Sequence, residues 1–386
     1  MKKECFWKDP NYVPSPLLTG DEHTQYLIIG GGIGGLFTAH FLLEQGTKDI
    51  VLIEKNTIGS GSTGHSAGML VAEIETSSWR KFAHERGEEA ATLYWHAQEN
   101  ALAAVRDAVR AGNIQCEYDE EEFLFLAHTH ESREAMSEEQ GIRARMGASN
   151  KVLAGSEAQD EFGSAFFPLL EKLEVAASVN PLALAHGMAA YLKARGVRIY
   201  ENTRLLELGE HSAKTDGGEI TFDRAIVSVG TAEKTEGIRD FLTSVCVTRP
   251  LSDEDLERIR LDDRDMFLDM ERRSYHYGKI TADKRLLVGY GDVLDQTHGA
   301  PILHEPHVHN IERFISHVFH FAPEIEYAWT GRYALMLDVV PLVSVSGNKT
   351  HIGGAGTQLA TIAIASYAVA RSLGHEHPLQ PLFETK

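Results

Sequence analysis

Tyr26-Leu-Ile-Ile-Gly-Gly-Gly-Ile-Gly-Gly-Leu36 is the stretch on which the rest of the chain turns. Tyr26 to Ile29 reads as a short buried strand, and Gly30-x-Gly32-x-x-Gly35 follows it directly. Leu36, Ala39, Leu42 and Leu43 then recur at helical spacing until Gly46 stops the helix. Asp49-Ile-Val-Leu-Ile53 is a second buried strand ending at Glu54. This is a βαβ unit in about 30 residues. Gly30 permits a tight turn, Gly32 lets the backbone approach a pyrophosphate, and Gly35 allows close helix–strand packing. The pyrophosphate meets backbone N–H groups, those of Ile33 and Gly34 among them, and the positive end of the helix dipole. Glu54, followed by Lys55, is placed to accept hydrogen bonds from ribose hydroxyls and disfavours a 2′-phosphate. A bound dinucleotide is expected, and the fingerprint alone does not say which.

Outward from this unit, residues 1 to about 24 are polar and proline-containing and read as an extended arm. Residues 57–68 are rich in Gly and Ser. One helix is expected over 79–110 and polar helix over 130–160. Asn180-Pro181 opens a helix that Gly196 stops, a hairpin turns at Asp216-Gly-Gly218, and a buried strand over 224–229 ends at Gly230. Strand signals are dense over 245–248, 275–277 and 286–288, and a last strand at 350–352 leads into Gly353-Gly-Ala-Gly356 and a final helix. Rossmann-like pieces therefore occur at the start, the middle and the end. The expected fold class is α/β (α+β overall). A Rossmann-type nucleotide domain takes 1–112, 175–244 and 339–386, and a discontinuous mixed-sheet substrate domain takes 113–174 and 245–338.

The chain has 386 residues, which suggests two domains. Its formal net charge of -19 argues against binding to nucleic acid or an anionic membrane. No apolar stretch reaches the roughly 18 residues of a membrane span. The start, MKKECFWKDPNY, has no apolar run behind its lysines and does not read as a signal peptide. Cys5, Cys116 and Cys246 are scattered and show neither metal spacing nor a disulfide framework. A cytoplasmic compartment is expected, and a homo-oligomer is left open. His304-Glu-Pro-His307-Val-His309 fits no common zinc spacing, and Pro306 breaks a helix register there. That region is expected to be a surface excursion without metal.

Six further blocks carry a resemblance. Gly59-Ser-Gly61-Ser62-Thr63-Gly-His65-Ser66-Ala67-Gly68-Met69-Leu70 resembles the second glycine-rich turn of the D-amino-acid oxidase-like FAD oxidoreductases. Thr248-Arg-Pro-Leu251 and Tyr277-Gly-Lys-Ile-Thr-Ala-Asp-Lys-Arg-Leu-Leu287 are similar to stretches of the gamma-glutamylputrescine oxidase branch, near glycine and sarcosine oxidases. Trp329-Thr-Gly331, Asp338-x-x-Pro341 and Gly353-Gly354-Ala355-Gly356 follow the order of that branch's C-terminal flavin motif. The resemblance implies FAD, a two-domain fold, and oxidation of a C–N bond in an amine or amino acid. It places Leu205 and Gly230 among the cofactor contacts with the blocks just quoted. Two departures stand out. Thr357 and Gln358 replace the branch's His and final Gly, and Leu287 stands where sarcosine oxidases carry a lysine associated with oxygen activation.

The flavin does the hard chemistry in such a protein, and the chain orients and tunes it. The resemblance puts the helix after Gly356 with its N-terminus beside the charge of a reduced flavin. His65 is similar in place to a histidine that bonds covalently to flavin in dimethylglycine and sarcosine dehydrogenases. Non-covalent FAD and a link through His65 both stay open. Arg332 lies near where relatives hold a substrate carboxylate, and Gly331 and Arg332 also count as cofactor candidates. Tyr275 and Tyr277 are expected on one face of a strand, His276 and Lys279 on the other, with one pair lining the substrate pocket. The half-reaction suits an oxidase using O2, a dehydrogenase using a quinone or protein acceptor, or a flavin-binding subunit without turnover.

Overall fold

The computed structural model describes every residue except 76, 231–234, 262–265, 272–274, 297–300, 339 and 384–386. The expected boundary at 339 and residues 297–300, the start of a stretch over 297–320 that reads as His-rich and helical, lie outside the described residues. The strands are β1 (Glu22–Ile29), β2 (Ile50–Ile53), β3 (Met69–Val71), β4 (Asp119–Ala127), β5 (Asn150–Ala154), β6 (Leu169–Ser178), β7 (Arg198–Tyr200), β8 (Leu205–Leu208), β9 (Ser212–Thr215), β10 (Glu219–Val227), β11 (Ile238–Thr248), β12 (Met266–Asp269), β13 (His276–Ile280), β14 (Leu286–Leu294), β15 (Ile325–Met336), β16 (Leu342–Ser346) and β17 (Lys349–Gly353). The helices are α1 (Ile33–Glu44), α2 (Trp79–Arg86), α3 (Glu88–Gly112), α4 (His130–Arg145), α5 (Ser156–Phe162), α6 (Pro181–Lys193), α7 (Asp253–Ile259), α8 (Glu305–Phe319), α9 (Gln358–Leu373) and α10 (Gln380–Phe383).

Two sheets organise the chain. The first runs β16-β17-β10-β1-β2-β7, parallel from β17 to β7, with the hairpin β8–β9 on the edge of β10. The C-terminal ends of β1 and β10 and all of β2 are apolar because both faces are covered there. Tyr26 and Ile28 of β1 join the core beneath α1, α6 and α9, while Leu27 and Ile29 join a second core with Val51, Ile53, Ile220 and Phe222. The second sheet runs β15-β11-β14-β13-β12-β4-β6-β3, with β5 added to β6. It is antiparallel except where β12 meets β4. Strand β3 joins this sheet although it directly follows the second glycine-rich turn, and β11 enters it already at Ile238.

Three local expectations are revised. The helix expected over 79–110 is two helices, because Gly87 at φ +91° ends α2 and starts α3. The segment over 130–160 is helix only at its ends, and β5 between them is recruited by pairing with β6. The His-rich segment is not a surface excursion: Val308, Ile311, Phe314 and Ile315 of α8 are buried against the second sheet. Pro306 sits in the first turn of α8, where no N–H is needed for the helix. No described helix is long and apolar enough to cross a membrane.

Candidate functional site

A cavity of about 1430 Å³ runs from the glycine-rich turn after β1 to the face of the second sheet formed by β11, β13, β14 and β15. Pockets for one drug-sized ligand take roughly 300–1,000 Å³, so this one has room for a dinucleotide and a second small molecule.

Its nucleotide end is set by close backbone approaches. Gly30 has φ +114°, and a Cβ there would sit 2.2 Å from Ser228 O. A Cβ on Gly35 would sit 1.9 Å from Gly30 O, so helix and turn touch only because both residues lack one. Gly35 itself stays behind the turn, while Gly30, Gly32, Ile33 and Gly34 line the cavity. Gly32 offers α1 no side-chain cap. Thr63 Oγ1 accepts from the Ile33 N–H instead, at 3.0 Å. The N–H groups of Gly32 and Gly34 have no acceptor among the described residues. Glu54 is braced into the turn, accepting from the N–H of Gly31 at 2.8 Å and of Asn56 at 2.9 Å, and lines the cavity with Lys55 at the exposed rim. Leu205 and Gly230 line it beside Val229.

Gly61, Ser62, Thr63, His65, Ser66, Ala67, Gly68 and Met69 form the next wall. Thr63–His65 is a single 3-10 turn. Two indole N–H groups hold its exit: Trp329 donates to His65 O at 2.9 Å and Trp7 to Ser66 O at 2.8 Å. His65 Nδ1 lies 2.9 Å from Gly61 O. A carbonyl only accepts, so Nδ1 carries the proton in that contact.

Gly353, Gly354, Ala355, Gly356, Thr357 and Gln358 close the cavity from the C-terminal side, and Gly331 and Arg332 border them. Gly354 and Gly356 turn with φ +65° and +73°. Thr357 caps α9, its Oγ1 accepting from Ala360 N–H at 3.2 Å. Not every donor expected to be open here is so. The N–H of Gly356 goes to Ala334 O and that of Thr357 to Ala355 O, which leaves Gln358 and Leu359 at the helix start. Gln358 Nε2 donates to Ser66 Oγ at 2.5 Å, and its buried Oε1 has no partner. The residue that departs from the family pattern thus ties the two glycine-rich turns together.

The far end is aromatic and acidic. Tyr275 and Tyr277 face the cavity from the β13 side. Tyr277 lies over Gly289, its partner on β14, where a Cβ would fall 2.0 Å from the ring. Its hydroxyl meets Thr243 Oγ1 at 3.0 Å. Thr243 sits at an irregularity in the β11–β14 pairing, the kind of bulge that re-aims a side chain. Tyr275 donates to Glu75 Oε1 at 3.1 Å. Asp292, from β14, has a buried Oδ2 without a hydrogen bond. Burial pushes its carboxyl up to about 6, against the pull of neighbouring Thr243 and Tyr333. Burial, reinforced by Glu75, also raises the Tyr333 hydroxyl.

His276 and Lys279 do not line the cavity. His276 stacks on Phe314 at 4.0 Å and bonds Asp269 Oδ2 through Nδ1 at 2.9 Å, on the opposite face from the tyrosines. Lys279 is three positions away, an odd step that puts it on the tyrosine face, not with His276. It lies beneath the cavity wall, donating to Gly68 O at 3.2 Å and Val179 O at 3.3 Å. Arg332 lines the cavity, but its Nη2 is 2.6 Å from buried Asp295. His307 reaches Ser244 Oγ at 3.1 Å, and the described residues contain no group of three His, Cys, Asp or Glu arranged to hold a metal.

Asp292, Glu75, Thr243 and Tyr333 escaped the sequence reading. Gly289-Tyr-Gly-Asp292 at a strand end, two glycines before an acid, was the available signal for one of them.

Comparison with known proteins agrees with this geometry. The model of the DAO family, FAD dependent oxidoreductase, matches residues 25–371. A Bacillus subtilis protein named for a Rieske 2Fe-2S centre is 28% identical over 211 residues, which cover 53% of this chain and 39% of that protein, so the chain spans about two fifths of that relative's length. Gamma-glutamylputrescine oxidoreductase of Escherichia coli is 26% identical over 86% of this chain and 78% of its own. The crystal structure of glycine oxidase from Geobacillus kaustophilus superposes with a TM-score of 0.77 at 17% identity, covering 92% of this chain and 96% of that one. The open donors at two helix starts and the unpartnered Gln358 Oε1 fit a long, polar-ended cofactor, and the chain belongs to the DAO family of FAD-dependent oxidoreductases.

Proposed function

We propose that this chain oxidises the C–N bond of a small amine or amino acid. The observation that carries the reading is the continuity of the cavity, from the turn at Gly30 to a wall of tyrosines and carboxylates on the other sheet. FAD would supply the hydride acceptor for the carbon beside the substrate nitrogen, with an imine as the product and O2 as the electron sink, giving peroxide. Gly32, Gly34 and the first turn of α1 hold the pyrophosphate, and Glu54 and Lys55 stand at the ribose. Residues 61–69, Leu205, Gly230, Gly331 and Gly353 to Gln358 hold the rest of the cofactor. The start of α9 stabilises negative charge that builds on it. Tyr275 and Tyr277 wall the substrate and keep water out. In this reading the cofactor domain takes 1–112, 175–244 and 339–386, and lends β3 and the start of β11 to the sheet of the substrate domain, 113–174 and 245–338.

The test is anaerobic. The purified yellow protein is mixed with a panel of amines and amino acids, and one of them bleaches the flavin spectrum. If none does, a flavin-binding subunit without turnover is left. We take the FAD to be held without a covalent bond, so acid precipitation leaves a colourless pellet and yellow supernatant. A yellow pellet would put the link on His65. A second reading sends the electrons to a quinone or protein acceptor. It draws on the relative named for a Rieske centre and on Leu287, which is buried with Trp7 and Trp329. Dye reduction without peroxide would favour it.

A further inference from the structure

We propose that the site takes a cationic amine that carries no carboxylate beside its nitrogen, and that Asp292 accepts the ammonium proton. This rests on the amine-oxidising reading. The substrate end of the cavity is built for positive charge. Tyr275 and Tyr277 lie with ring centres 6.2 Å apart, and Phe241 stacks on Tyr333 at 5.8 Å. These four rings line the cavity with two carboxyls, Glu75 and Asp292. Aromatic faces attract alkylammonium groups within about 6 Å of a ring centre. Glu75 already accepts from Tyr275, whereas Asp292 Oδ2 is buried without a hydrogen bond, a costly state that an ammonium N–H relieves.

The same end is poor for a carboxylate. Arg332, the fork best placed to bind one, has its charge balanced by buried Asp295, 2.6 Å from Nη2. Arg143, further along the wall, is engaged by Glu73 at 2.8 Å and Glu171 at 2.7 Å. A substrate carboxylate would meet Asp292 and Glu75 instead, and like charges in a buried site repel.

The proton step balances simply. An N–H bond of the ammonium breaks, an O–H bond forms on Asp292, and the nitrogen keeps the electron pair. A cation and an anion become two neutral groups, which burial favours. A carboxyl raised toward neutral pH is suited to accept that proton and release it again.

Three probes are titrated into the anaerobic holoenzyme, with the flavin absorption as the binding readout. Butyltrimethylammonium is a cation that cannot react. N-methylbutylamine is a secondary amine, and N-methylnorvaline is the same amine with a carboxylate. The two cations bind at least about tenfold tighter than the amino acid. Affinity for butyltrimethylammonium falls as pH drops through about 6 and Asp292 is protonated. Thr243 from β11 and Tyr333 from β15 neighbour Asp292 during that titration, and Tyr277 from β13, Arg332 from β15, His307 from α8, and Glu75 share the cavity lining with it. Asp292→Asn keeps its FAD, weakens both cations at least about tenfold and flattens the pH response. Equal or tighter binding of N-methylnorvaline, or cation binding unchanged in Asp292→Asn, overturns the proposal. Should Asp292→Asn fail to hold FAD, the selectivity of the unaltered protein decides. Tight, Asp292-dependent cation binding with no bleaching by any amine would instead fail the oxidation reading while leaving the recognition intact.

Discussion

Lys279 is an ammonium on a strand, sealed under the wall of the cofactor cavity. It is buried against Gly68 O, Val179 O and the Trp7 ring. Burial lowers it to about 8, opposed by Glu121 and Glu117. The consequence for stability has a definite sign. The unfolded chain holds this proton up to about pH 10.4 and the folded chain only to about 8, so folding releases a proton between them. Stability therefore rises with pH across that window and is lost again as pH falls through 8. The span corresponds to about 3 kcal/mol. Comparing unfolding free energies of the wild type and Lys279→Met from pH 7 to 10 isolates it. The wild type gains on the variant as pH rises, and a constant difference would refute the assignment. Lys279 is also the direct partner of Leu287 across β13 and β14, so the position where sarcosine oxidases carry a lysine faces one on the next strand.

At the scale of elements, the start of α9 is capped by its own Thr357 and borders the cavity. Thr357 stands where the family pattern has histidine, and its hydroxyl caps the helix. Thr357→Ala removes that acceptor and costs about 1 kcal/mol of stability in the FAD-free protein. It also frays the donors of Gln358 and Leu359, so FAD binds more weakly than that loss alone would cause. Chemical denaturation of the apoprotein and FAD titration check the two halves separately; unchanged FAD affinity would mean that this helix start does not touch the cofactor. Element boundaries show where local patterning is insufficient. The apolar spacing over 79–110 continues through Gly87, yet that glycine lets the chain break into α2 and α3. Strand β5 is short and half polar, and only its pairing with β6 makes it a strand.

At the scale of the whole molecule, the cavity is bounded by residues of both sheets, so in the proposed reading the cofactor would join them. A ligand that binds only the folded chain stabilises it by mass action, about 2.7 kcal/mol at a hundred times its dissociation constant. Stripping FAD should lower the Tm, and adding it back should raise the Tm in proportion to the logarithm of its concentration. A Tm indifferent to added FAD would place the cofactor outside this cavity.

The nucleotide half was legible in the sequence, and the reason is steric. Gly30 and Gly35 are glycines because backbone oxygens lie where a Cβ would be, and Tyr26 to Ile29 of β1 and all of β2 are apolar because both sheet faces are covered there. Such requirements act within a few dozen residues and leave a linear trace. The substrate end left almost none. Glu75, Thr243, Tyr277, Asp292 and Tyr333 come from five separate segments, and apart from Tyr277 and the glycines before Asp292 none is marked in its own neighbourhood. Antiparallel register, the irregularity at Thr243 and the gap left by Gly289 bring them together. For Arg332 a carboxylate fork and a salt-bridged arginine both fitted the sequence until Asp295 appeared beside it, and for His276 pocket lining and packing both did until the strand's alternation turned it toward Phe314. The sequence by itself determined the cofactor cradle, since that depends on residues that must be absent of side chain. Only the tertiary structure decided what the far wall offers a substrate, since a charge is defined by the partner that reaches it.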